Sequence, residues 1–186
     1  MCGIAGVLEF KSPDVESRLL SRMTTRLAHR GPDDWGYVVF DASARPCAWR
    51  GDEGPEARGV CGLGSRRLKI IDLHGGEQPM RSDDGDAIIV FNGEVYNHGE
   101  LRRELEGLGV HFRSRCDTEV VLKAWLQWGR ESFQRLRGMF AFVLRDSATG
   151  VVHAARDPFG IKPLYHLQTP DGLYLASEKK ALLPFA

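Results

Sequence analysis

Four places along this chain carry residues able to do acyl-transfer chemistry: Cys2, Arg67, the Asn92-Gly93 pair and Asp117. An initiator methionine before a small residue is normally removed, which makes Cys2 the first residue of the processed chain. Its α-amino group then sits on the same residue as its thiol. Such an amine titrates near neutrality, at roughly pKa 7.7–8.0 in model peptides, so it can act as the base and no histidine is needed to activate the sulfur. Acyl transfer also asks for donors to a developing oxyanion and for groups that hold the substrate. The Asn92 side-chain NH2 and the Gly93 backbone N–H can converge on one oxygen, because glycine has no Cβ in the way. An arginine aimed into a cleft binds a carboxylate through two parallel hydrogen bonds, and a carboxylate at Asp117 can face an ammonium. Each residue also has an ordinary explanation. Cys2 fits a small residue opening a strand, and Asn92-Gly93 fits a plain turn. Arg66 and Arg67 fit two solvated side chains, and Asp117 fits an N-cap.

The bulk of the chain narrows the classes open to it. Its 186 residues fit one domain with a sizeable core. Apolar content of 42% and charged content of 27% are those of an ordinary globular protein. The 25 basic and 25 acidic residues cancel, which gives no sign of a nucleic-acid or membrane-binding surface. No apolar run reaches transmembrane length, and the N-terminus lacks the layout of a signal peptide. A cytoplasmic protein is expected. Cys2, Cys47, Cys61 and Cys116 are scattered without a CxxC pair, and the six histidines show no HExxH pattern. No metal site is therefore expected, and a lone activated cysteine is the better candidate for chemistry.

The elements that must position these residues follow from apolar periodicity and turn residues. Gly3 to Phe10 reads as a strand with Cys2 at its open end. Ser12-Pro13-Asp14 starts a helix, with Glu16 in its first turn, that runs to about His29 and stops at Arg30-Gly31-Pro32-Asp33. Trp35 to Phe40 is a strand, and residues 41–59 form an exposed loop or hairpin tip. Val60 to Gly64 and Arg67 to Asp72 are two short strand-like pieces, with Arg67 and Arg66 on opposite faces. A turn follows at His74-Gly75-Gly76. Ala87 to Phe91 is a buried strand ending in Asn92-Gly93. A helix from Asn97 or His98 stops at Gly109, a strand follows around Val110 to Phe112, and Asp117-Thr118-Glu119 caps another helix. A short helix near Glu131 to Leu136 precedes strands at Met139–Arg145, Val151–Ala155, Pro163–Leu167 and Leu173–Ala176, and a last helix starts at Glu178. Strands outnumber helices, which predicts an α+β protein with mostly antiparallel sheets.

The candidate residues also lie in an ordered series of motifs. Met1-Cys2-Gly3-Ile4-Ala5-Gly6 and Arg30-Gly31-Pro32-Asp33-x-x-Gly36 are followed by Arg67-Leu68-x-Ile70-Ile71-Asp72-Leu73 and Gly75-Gly76-x-Gln78-Pro79-Met80. Phe91-Asn92-Gly93-Glu94-Val95-Tyr96-Asn97, Cys116-Asp117-Thr118-Glu119-Val120 and Arg137-Gly138-Met139-Phe140-Ala141-Phe142 come next. Arg156-Asp157-Pro158-Phe159-Gly160-Ile161-Lys162-Pro163-Leu164-Tyr165 and Ala176-Ser177-Glu178-x-Lys180-Ala181-Leu182 complete the series. The whole chain resembles the class II glutamine amidotransferase (glutaminase) domain of glutamine-hydrolysing asparagine synthetases, within the N-terminal-nucleophile hydrolases.

That resemblance implies a four-layer α-β-β-α sandwich with two mostly antiparallel sheets. It makes Cys2 the nucleophile once Met1 is removed, and Asn92 and Gly93 the oxyanion hole. It gives Arg67 to the α-carboxylate of L-glutamine and Asp117 to its α-ammonium, with Glu94 alongside and backbone groups of Leu68, Ile70 and Ile71 lining the slot. The implied reaction is hydrolysis of glutamine to glutamate and ammonia, which an ATP-dependent synthetase consumes on a C-terminal domain. The SGGxDS pyrophosphate loop of that domain is absent from the sequence, so ATP and magnesium are expected only there. The synthetase is expected either in cis, on a longer chain, or in trans, as a split enzyme, and an oligomer is compatible with both. The acceptor carboxylate is left open. A glutamine-binding regulatory or structural module without turnover is the alternative. Lys69 stands where a small polar residue is commoner in the family, and the 41–59 stretch is long.

Overall fold

The central strands form because their apolar residues alternate or run continuously enough to be buried on both faces. The computed structural model describes residues 1–11, 15–51, 54–69 and 76–183. In chain order the first half carries β1 (Gly3–Glu9), β2 (Val15–Glu16), α1 (Ser17–Thr25), β3 (Asp34–Phe40), β4 (Pro46–Arg50), β5 (Arg58–Gly59), β6 (Cys61–Arg67), β7 (Met80–Arg81) and β8 (Ala87–Val95). The second half carries α2 (His98–Gly107), α3 (Asp117–Trp128), α4 (Ser132–Arg135), β9 (Gly138–Asp146), β10 (Val152–Arg156), β11 (Tyr165–Gln168) and β12 (Gly172–Ala176). A six-stranded sheet has the order β11-β12-β1-β6-β3-β4, and a four-stranded sheet has the order β10-β9-β8-β7. Their pairings are antiparallel.

The two sheets face each other across Ile4, Val38, Leu63 and Leu175 on one side and Ile88, Val90, Ala141 and Val143 on the other. Alternate residues of the same strands point outward. Ala5, Val7 and Val39 meet Leu20 and Met23 of α1, while Ile89, Phe91, Phe142 and Leu144 meet Leu101, Leu105, Val121 and Trp125 of α2 and α3. The result is the α-β-β-α sandwich that the sequence implies, with the strands carrying Cys2, Arg67 and Asn92 close to its middle.

Several local expectations are corrected. Ser12-Pro13-Asp14 lies outside the described residues, and Glu16 is extended ahead of α1 rather than inside its first turn. Val15 pairs with Gly59 and is fully buried, so the chain stays extended until Ser17. The helix ends at Thr25, not His29, and a 3-10 turn over Ala28–Arg30 follows. That turn leads into Gly31, where a Cβ would lie 2.4 Å from the Arg66 carbonyl. Within 41–59, Pro46–Arg50 is an edge strand because Trp49 stacks on Tyr37 at 4.9 Å. The two pieces expected at 60–64 and 67–72 are one strand, Cys61–Arg67, and residues 70–75 are outside the described residues. Val110 to Phe112 is no strand: the next amides, of Arg113 and Ser114, donate to the Glu119 carboxylate at 2.9 and 2.7 Å instead of to a neighbouring strand. The last expected helix is a 3-10 turn, Lys179–Ala181.

Candidate active site

The site grows from the ends of two central strands and the middle of a third. β1 starts beside the end of β6, with Gly3 opposite Arg66, so Cys2 is carried toward Arg67. Both line a cavity of about 110 Å3 together with Leu68, Asn92, Gly93, Glu94 and Asp117. That is far below the roughly 300–1,000 Å3 of a site for a drug-sized ligand, and suits a small molecule. Ile70 and Ile71, also expected here, lie outside the described residues.

Cys2 is partly buried, with its Sγ 3.9 Å from the Leu68 carbonyl. Burial pushes its thiol above the ordinary value, and the positive charges of the N-terminus and Arg67 pull the other way. Met1 is present and lines the same cavity, so here the Cys2 nitrogen is a peptide amide. Behind the residue, Arg30 Nε donates to the Cys2 carbonyl at 2.9 Å, and Arg30 Nη1 donates to Glu178 at 3.0 Å. His29 and Lys180 also meet Glu178, at 2.9 and 3.2 Å. Burial opposes ionisation of Glu178, but these hydrogen bonds outweigh it and hold its carboxyl down at about 2. The Arg-Gly-Pro-Asp and Ser-Glu-x-Lys segments thus converge on the backbone of the N-terminus.

Asn92 and Gly93 do not form a turn. They are interior residues of β8, paired with Ala141 and Phe140 of β9. Gly93 is not left-handed; it is glycine because a Cβ would lie 2.3 Å from the Met139 carbonyl oxygen and 2.5 Å from Phe140 Cα. The neighbouring strand, not a ligand, makes the close approach. Asn92 is 1% exposed, and among the described residues neither its Nδ2 nor its Oδ1 has a hydrogen-bond partner. An unpaired buried amide costs free energy on the order of 1–3 kcal/mol, and such groups ask for an explanation.

Arg66 and Arg67 are both buried, which excludes the solvated reading. They do take opposite faces. Arg66 stacks over Trp35 at 4.5 Å and donates to Thr25 Oγ1, whereas Arg67 lines the cavity beside Gly76 and Cys116. The Asp33 turn braces this strand end: its N–H donates to the Arg67 carbonyl, and its carboxylate accepts from the Lys69 N–H. Lys69 thus holds its place through its backbone.

Asp117 is not the cap of α3. Cys116 holds that position, and Asp117 is the first helical residue. Its buried carboxylate accepts from the Val95 N–H at 2.9 Å, tying the helix to the end of β8. Burial pushes its carboxyl up, against the Val95 hydrogen bond and the charge of His98. Glu94 is partly buried on the same wall.

Sequence reasoning passed over two contributors. Gln78 Oε1 accepts from the Phe91 N–H at 2.7 Å and supports β8 beside Asn92. Lys162, 6% exposed, reaches the cavity from the loop before β11. Both stand in quoted motifs, but nothing about a single Gln or Lys signals which way it points. Among the described residues, no cluster of three His, Cys, Asp or Glu is placed to share a metal ion, and no helix is long and apolar enough to cross a membrane.

The arrangement combines a thiol, a buried amide without a partner among the described residues, a buried guanidinium and a buried carboxylate around one small cavity. The profile of the family described as the glutamine amidotransferase domain matches residues 1–186. The chain is 41% identical over 187 residues to asparagine synthetase (glutamine-hydrolyzing) 1 of Bacillus subtilis strain 168, which covers 98% of this chain and 27% of that protein. It is 37% identical over 186 residues to asparagine synthetase B (glutamine-hydrolyzing) of Escherichia coli K12, covering 99% and 30% respectively. The chain therefore spans less than a third of these curated relatives. Among solved structures, the glutamine phosphoribosylpyrophosphate amidotransferase of B. subtilis, complexed with ADP and GMP, superposes with a TM-score of 0.79. It is 24% identical and is matched over 97% of this chain and 43% of its own, a likeness of fold.

Proposed function

The chain belongs to the glutamine amidotransferase domain family, and from that membership we propose that it hydrolyses L-glutamine to glutamate and ammonia with Cys2 as the N-terminal nucleophile. Removal of Met1 frees the Cys2 amine. The neutral amine accepts the thiol proton, and the thiolate attacks the glutamine side-chain carbonyl, forming the C–S bond. Asn92 Nδ2 and the Gly93 N–H donate to the oxyanion. The protonated amine gives its proton to the leaving nitrogen, the C–N bond breaks and ammonia departs. Water then adds to the thioester, the amine taking its proton, and collapse releases glutamate and restores the thiol. Arg67 holds the α-carboxylate of glutamine, Asp117 its α-ammonium, and Glu94 and the Leu68 backbone complete the slot among the described residues.

The observation that carries this reading is the buried Asn92 amide, which has no partner among the described residues and lies on the same small cavity as Cys2. The ammonia goes, on this reading, to an asparagine-synthetase-type, ATP-dependent amidation of aspartate or another carboxylate. A synthetase domain in cis or in trans performs that step, and ATP and magnesium belong to it. The glutaminase half-reaction itself needs no cofactor. We assign the work to the cytoplasm, where the four cysteines, all free, are in their ordinary state.

Glutamate release from glutamine, with asparagine as control, tests the proposal on protein whose loss of Met1 has been verified by intact mass. Cys2→Ala should abolish release while leaving glutamine binding largely intact. Normal turnover by the Cys2→Ala protein would sink the mechanism.

A further inference from the structure

A lysine stands in the cavity without a charge partner among the described residues. Lys162 is 6% exposed and lines the cavity with Met1 and Cys2. Its place is set by its backbone: its N–H donates to Asp157 at 3.0 Å and its carbonyl accepts from Arg156 Nε at 2.6 Å. Asp157 also takes the amides of Phe140, Phe159 and Ile161, so its carboxylate is spent on the loop. The Lys162 ammonium meets only the Met1 thioether among the described residues, at 3.4 Å. A thioether is a weak acceptor, and a buried cation normally keeps a carboxylate or several carbonyls. The side chain is held against the one residue that processing removes.

We infer that Lys162 is the positioning cation of the N-terminal nucleophile: after Met1 is gone, its ammonium faces the new α-amino group of Cys2 and holds that amine in its neutral, proton-accepting form. The inference rests on the glutaminase reading above. The physical cause is repulsion between like charges at a partly buried site, which disfavours the protonated amine. The other charged and titratable groups around the amine do not substitute for it. Arg30 approaches the Cys2 carbonyl from behind and is neutralised by Glu178, itself shared with His29 and Lys180. Arg67 and Asp117 line the cavity for the two charged ends of the substrate, with His98 beside Asp117. Glu94 on β8 would favour the protonated amine, and the Cys2 and Cys116 thiols face the same space. Lys162 is the cation left over to oppose Glu94.

The test uses processed protein carrying 15N-cysteine, in which the Cys2 amine is titrated by NMR, alongside pH profiles of kcat/KM for glutamine. Lys162→Met should raise the amine midpoint by about one pH unit, and the acid limb of kcat/KM should move up with it. Lys162→Arg should restore both, a rescue that mere space-filling by the side chain does not predict. An unchanged midpoint in Lys162→Met, or in Lys162→Gln should the methionine variant unfold, overturns the inference. Absence of turnover in the parent, with the midpoint still rising in the variant, defeats the glutaminase reading and leaves the electrostatic role standing.

Discussion

Arg30 Nε donates to the backbone carbonyl of Cys2 at 2.9 Å. A side chain far along the chain thereby fixes a terminal residue that would otherwise fray. Arg30 is in turn held by Glu178, so both ends of the domain converge on one peptide group.

Glu178 should register in acid stability. It ionises at about 2 in the fold against 4.5 ordinarily. A depressed carboxylate pKa contributes stability that is complete above the unfolded value and is lost as pH falls through the folded one. Glu178→Gln is expected to lower the melting temperature above about pH 4.5, with the gap to the parent shrinking toward about pH 2. Thermal unfolding at stepped pH checks it, and a gap independent of pH would disprove it.

Asn92→Ala removes a group that makes no hydrogen bond among the described residues. The expected result is a loss of about 100- to 1,000-fold in kcat with little change in melting temperature, since no hydrogen bond is lost. Ordinary polar core residues behave the other way round. A large drop in stability with kcat preserved would show that the amide serves the fold.

Gly93→Ala tests the strand contact. Its new Cβ would fall 2.3 Å from the Met139 carbonyl oxygen, a backbone atom that cannot swing aside. Overpacking of this kind costs about 1–3 kcal/mol, read as a lower urea midpoint. An unchanged midpoint would mean that β8 and β9 can separate locally.

If Asp117 pairs with the substrate ammonium as proposed, binding should depend on pH. Its carboxyl is raised by burial, so the ionised form that pairs with an α-ammonium is lost at higher pH than for an exposed aspartate. The KM for glutamine should climb as pH falls toward mildly acidic values. Asp117→Asn keeps an acceptor for the Val95 N–H yet should raise KM about 30-fold or more and flatten that climb. Steady-state KM between pH 5 and 8 decides the matter.

The strand-rich α+β character was legible because strand alternation and the apolar run at Ala87 to Phe91 reflect burial directly, whereas the four layers followed only from the family resemblance. So were the chemical types at the site, since each candidate within the described residues lines one cavity. Context defeated the rest. Asn92-Gly93 has the composition of a turn, but pairing with Ala141 and Phe140 continues the strand through it. Asp117 has the residue type of a cap, but Cys116 takes the cap position and the Val95 amide claims the Asp117 carboxylate. Trp49 sits in a polar stretch, and only the stack on Tyr37 makes that stretch an edge strand. Lys162 was invisible as a site residue because its direction depends on Asp157 gathering four amides.

Interior placement of Asn92 in β8 has a consequence for motion. Its amide belongs to the same ladder as Ile89, Val90 and Phe91, which anchor the cores on both sides of that sheet. Hydrogen exchange at such a position proceeds through global opening rather than through local breathing. The β8 wall of the cavity is therefore among the last parts of the domain to loosen.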